Sequence, residues 1–185
     1  TAEGIQTVSA QGGFYHVPAP SMPYAGSQIA YLVNRSARLP DLRSFEKEVT
    51  SYVDENIQQC IDGIPTRGFS LKHGMLSTQV IIGPEDAAAE LTMPMTITQG
   101  NTTLSLDTFV ARVRTDTQAK LAIITSLMNA HNDVPGALPL GTLTHLAKTH
   151  RFRFATLPRP NDDVLTIIAF GNDLPPYVFS YAADY

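Results

Sequence analysis

A chain of 185 residues, 43% of them hydrophobic, is long enough to bury a substantial core in one large domain or two small ones. Charged residues make up 16% and the formal net charge is −4, with no run dominated by Lys or Arg. That excludes the clustered cations that nucleic-acid binding needs. The longest apolar runs, such as "VLTIIAF", are strand-sized and too short to span a bilayer.

The opening "TAEGIQTVSAQGG" reads as the last turns of a helix that Gly12 and Gly13 stop, since glycine takes the left-handed conformation a helix C-cap requires. A helix this short is marginal alone, so the stretch is expected to be the tail of a longer helix upstream. "FYHVPAPSMPY" follows with Pro18, Pro20 and Pro23, and is expected to be extended and irregular, laid over the body. Residues 1–26 thus form a lead-in, and "IAYLVN" (29–34) is the first expected strand.

The clearest element begins at Pro40. Leu42, Phe45, Val49, Val53, Ile57, Cys60 and Ile61 recur at three- and four-residue spacing, which makes one apolar helical stripe. Asp41 suits the positive end of the helix dipole and Gly63 the stop. From Phe69 to Arg114 the period changes to two, with four strands expected in "FSLKHG", "MLSTQVIIG", "AELTMPMTITQGN" and "TTLSLDTFVARVR". Pro94 cannot donate to a ladder, so its strand is an edge there or carries a bulge.

"TDTQAKLAIITSLMNAHND" is a further helix capped by Thr115 or Asp116, and "TLTHLAKTH" a shorter one. Three strands close the chain, "RFRFATL", "DVLTIIAFG" and "PYVFSYAADY". The second is apolar on both faces and therefore central. The fold class is α+β, with antiparallel sheets of about seven strands packed against two to three amphipathic helices. Residues 27–185 make a single domain, divisible into subdomains 27–133 and 138–185.

No catalytic motif is present. His16, His73, His131, His145 and His150 show no metal-binding spacing, and no catalytic residue, metal ligand or cofactor site is assigned. The acidic pairs Glu85/Asp86 and Asp162/Asp163 fall in turns, where carboxylates organise the local backbone or face water. Sequons at Asn34 ("NRS") and Asn101 ("NTT") sit at expected strand ends, as N-glycan acceptors or as unmodified turn asparagines. Cys60 is either a small buried apolar residue or half of a disulfide to a residue outside the chain. Tyr177, Phe179 and Tyr181 alternate along the last strand, as core packing or as an aromatic binding face.

Four stretches in series, "QGGFYHVP", "PDLRSFEKEVTSYVDENIQQCIDGI", "LTMPMTITQGNTTLSLDTFVARV" and "DDVLTIIAFGNDLPPYVFSYAADY", resemble a family of uncharacterised proteins from small-celled, often symbiotic archaea. The resemblance implies an extracytoplasmic body held at the cell surface by a single N-terminal membrane helix. It also implies a disulfide from Cys60 to a cysteine ahead of the "QGG" element.

The expected function is that of a soluble ectodomain of an archaeal cell-envelope protein, a candidate glycoprotein through Asn34 and Asn101, with a structural, assembly or partner-binding role and no catalysis. Its partner is a protein or a surface, and the membrane is reached only through the anchor. Two alternatives stand beside it. One is an extracytoplasmic hydrolase with a site of dispersed His, Asp and Ser. The other is a carbohydrate- or peptide-binding module that uses the C-terminal aromatic face.

Overall fold

A computed structural model describes residues 1–34, 37–133, 137–171 and 177–185. The first helix, α1 (Ala2–Ala10), ends as its two glycines require. Gly12 donates its N–H to Ser9 O and Gly13 to Val8 O, the paired bonds of a Schellman motif, and both glycines have positive φ. Phe14 to His16 is then fastened to the second helix, α2 (Leu42–Asp62). The N–H groups of Tyr15 and His16 both donate to Glu48 Oε2, at 2.8 and 3.3 Å. The Tyr15 hydroxyl donates to Glu55 at 3.0 Å.

Residues 1–26 are more than a lead-in. Ile5 and Val8 of α1 are buried in the main core, and Ser21–Tyr24 forms strand β1, antiparallel to β2 (Ser27–Val33). Pro23 is compatible with that strand because β1 lies at a sheet edge, where the missing N–H breaks no interior ladder.

Helix α2 follows its sequence pattern closely. The Asp41 carboxylate accepts from Ser44 N at 2.7 Å as the N-cap, and Gly63 is the C-cap. Phe45 and Val49 are fully buried, each worth about 1.5–3 kcal/mol of apolar transfer. Ile61 is buried in a separate cluster with Met93 and Met95.

Two sheets complete the body. The first has strand order β1-β2-β9-β8-β7, with β7 (Phe152–Pro158), β8 (Asp163–Phe170) and β9 (Tyr177–Asp184) from the C-terminal part. β8 is interior, as its two apolar faces predict. The second sheet centres on β5 (Asp86–Gln99). On one side β5 pairs with β6 (Thr102–Arg114), on the other with β4 (Ser77–Ile82) and β3 (Ser70–His73). A register shift between Thr92 and Met95 places the bulge at Met93–Pro94, which accommodates the proline. Helices α3 (Thr117–Asn132) and α4 (Leu140–His150) join the sheets and add Leu121, Ile124, Leu127 and Leu143 to the main core.

The α+β class holds, with three differences. Nine strands rather than about seven occur among the described residues. The pairing of β2 with β9 is parallel, not antiparallel, because strands so distant in sequence need no hairpin. That same pairing joins residues 31–33 to 182–183, so one sheet runs across the proposed 27–133 and 138–185 subdomains. The turn expected at "NDLPP" lies outside the described residues.

Candidate interaction surface

The sequence-predicted site residues do not converge. Tyr177, Phe179 and Tyr181 are 3%, 0% and 0% exposed, so they form no binding face. The reason is topological: β9 lies between β2 and β8, and its Tyr177–Phe179–Tyr181 face lines the main core. The Tyr181 hydroxyl lies 3.3 Å from His131 Nδ1, and the Tyr185 hydroxyl closes on the other ring nitrogen. His131 is thereby buried between two phenols, and burial pushes its pKa down from 6.5 to about 4.

The other histidines lie on the surface. His16 pairs with Glu55 at 3.1 Å, His73 touches the Gly74 carbonyl, and His145 and His150 project from α4. Among the described residues no group of three or more His, Cys, Asp or Glu is placed to hold a metal ion. Asp163, expected to organise a turn or face water, is buried and accepts the Tyr31 hydroxyl at 2.6 Å. Lys120 is also buried, 2.5 Å from Asp116 and over the Tyr177 ring at 4.9 Å. The Tyr31–Asp163 pair joins positions distant in sequence and has no local signature, whereas Asp116 and Lys120 stand at the i,i+4 spacing of a helical ion pair.

Cys60 is exposed rather than buried, since it falls on the flank of the α2 stripe. Asn34 is exposed, with a left-handed φ of 64°, and its amide donates to the Asp184 carbonyl at 2.6 Å. Ser36 of its sequon lies outside the described residues. Asn101 is exposed in the β5–β6 turn, beside Gly100 with φ +57°.

A groove of about 960 Å³ lies between the segment after β2 and helix α3. Its polar lining is mainly amide, from Asn34, Gln118, Asn129 and Asn132, with Arg38. Among the described residues no histidine lines it, and its Asp41 carboxylate already caps α2. The hydroxyl of Thr125, another lining residue, donates to the Leu121 carbonyl. The described lining therefore brings together no nucleophile and base of the kind a hydrolytic site requires.

A second exposed surface is the β5–β6 arm. Strand β6 pairs with β5 over Thr102–Arg114, and no strand among the described residues covers its other edge. Ten of its 13 residues are exposed, including Leu104 at 52% and Val110 at 59%. Alternate residues of such an edge direct unpaired N–H and C=O groups outward, ready to pair with another chain. The opposite edge is different. Two N–H groups of β4 are taken by α2, with Val80 N donating to Thr50 Oγ1 and Ile82 N to Glu46 Oε1.

Natural sheets protect edges by shortness, proline, charged side chains, or a bulge in the edge strand itself. β6 is 13 residues long, lacks Pro, and pairs with a bulge carried by β5; its charges, Asp107, Arg112 and Arg114, leave Thr102–Leu106 and Thr108–Ala111 uncharged. Its apolar residues fall on both parities, Leu104, Leu106 and Val110 on even positions and Phe109, Ala111 and Val113 on odd ones. The bulge in β5 brings Met95 and Ile97 opposite Leu106 and Leu104.

No protein-family model matches the chain, and neither a curated protein nor a solved structure shows significant similarity to it.

Proposed function

We propose that the chain is the ectodomain of an archaeal cell-envelope protein, held by a membrane helix outside these residues, whose role is assembly or partner binding without catalysis. The observation that carries this reading is the open β6 edge, an exposed strand of 13 residues. The low charge and the exposure of both sequon asparagines agree with an extracytoplasmic setting. Among the described residues no helix is long and apolar enough to cross a membrane, so the proposed anchor belongs to another part of the protein.

Labelling of intact cells tests the location. Met75 is 90% exposed, so Met75→Cys in a Cys60→Ser background adds an accessible thiol for a membrane-impermeant maleimide, with Cys60→Ser alone as the control for any other thiol. Full-length protein labelled in intact cells supports the reading; labelling that requires lysis contradicts it.

A further inference from the structure

We propose that the partner of the β6 edge is a second copy of this chain, paired antiparallel along the whole strand with Thr108 facing Thr108 of the second copy. This inference rests on the assembly role above and names its partner. A two-fold axis perpendicular to a sheet brings an edge strand against itself with each side chain kept on its own face. Antiparallel residues then pair so that their numbers sum to a constant. Overlap of all 13 residues, Thr102 with Arg114 at either end, fixes that constant and puts Thr108 on the axis.

The side chains suit this register. On the face of Leu104, Leu106 and Val110, each Val110 stands opposite Leu106 of the other copy. Four apolar side chains thus flank the central threonine pair, which is itself a favourable cross-strand pair. Arg112 falls opposite Leu104, where its alkyl stem covers apolar surface while the guanidinium stays in water. On the other face Asp107 stands opposite Phe109, and Val113 opposite Thr103.

No charge meets a like charge directly across the interface. A parallel arrangement in register would set Arg112, Arg114 and Asp107 each beside its own copy. The antiparallel registers that centre on residue 107, 112 or 114 would do the same for one of them. Charge therefore selects antiparallel pairing, and full overlap selects Thr108. The product is a continuous sheet running through β5-β6 into the β6-β5 of the second copy, with β3 and β4 on its outer sides, where Val80 N and Ile82 N of β4 are bonded to α2.

Position 108 supplies the test. Thr108→Cys in the Cys60→Ser background places two thiols on directly opposed residues, within disulfide reach. Mild oxidation is expected to give a covalent dimer. Val110→Cys is the control, since its copy lies four residues out of register, about 13 Å along the strand. Sedimentation equilibrium of the unmodified chain should show a reversible dimer. Thr108→Lys, and separately Thr108→Glu, should each weaken it by about tenfold through like charges on the axis. An equimolar mixture of the two should restore it, which misfolded variants would not do.

A monomeric unmodified chain at sub-millimolar concentration overturns the inference. So does cross-linking at 110 as efficient as at 108, or a Thr108→Lys variant as dimeric as the parent. A monomer whose position 75 is still labelled on intact cells removes the self-pairing alone. Labelling that needs lysis removes the envelope role and leaves the dimer measurement standing.

Discussion

Ile82 donates its backbone N–H to the Glu46 carboxylate across 2.7 Å, so a helix side chain closes the free edge of β4. Thr50, one turn further along α2, accepts from Val80 in the same way at 3.2 Å. Two N–H groups of the β4 edge are thus closed by α2, whereas no strand among the described residues covers the outer edge of β6.

Removing the seal should cost stability. Glu46→Ala leaves a buried N–H without its acceptor, a loss of about 1–3 kcal/mol. Glu46→Gln keeps an acceptor oxygen and should lose less. Urea unfolding of the two variants ranks them, and faster hydrogen exchange at Ile82 locates the effect.

The end of α1 gives a backbone prediction. Gly13 has φ +95°, and a Cβ there would lie 2.7 Å from Cγ of Pro40. Gly13→Ala meets both the left-handed penalty and a clash, and should destabilise by more than about 1 kcal/mol. The difference in unfolding midpoint at unchanged m-value measures it.

His131 links stability to pH. Burial holds its folded pKa near 4, below the 6.5 of an exposed imidazole. The unfolded chain therefore takes the proton first as pH falls. The contribution of the neutral ring is complete above pH 6.5 and is lost progressively down to about pH 4, amounting to about 3 kcal/mol. His131→Gln carries no titrating ring, so its stability curve should lack that fall. Denaturant titrations between pH 4 and 7 on both proteins make the comparison.

The buried pair of Tyr31 and Asp163, 2.6 Å apart, should also be sensitive. Tyr31→Phe deprives a buried carboxylate of a donor and should cost about 1–3 kcal/mol. Asp163→Asn retains an oxygen that accepts from the phenol, and should cost less than Asp163→Ala. Thermal unfolding at one pH orders the three.

What the sequence shows clearly is whatever depends on neighbours in the chain. The α2 stripe from Leu42 to Ile61, the Asp41 cap, the Gly12–Gly13 stop and the bulge demanded by Pro94 all follow from local spacing and backbone chemistry. What it hides depends on distant partners. Whether Tyr177, Phe179 and Tyr181 face water turns on β2 and β8 flanking β9, and the parallel direction of β2 turns on a strand about 150 residues away. Asp163 reads as a turn acid until Tyr31 is placed over it. The open edge of β6 is likewise a property of sheet order.

The central claim is that β6 is a binding edge, and residue-resolved amide hydrogen exchange tests it most directly. In dilute solution the β6 amides directed away from β5 should exchange rapidly while those bonded to β5 are protected. Raising the protein concentration, or isolating the full-length protein in its native envelope, should protect the outward set between Thr102 and Arg114. Outward amides that exchange equally fast in every state would contradict the claim.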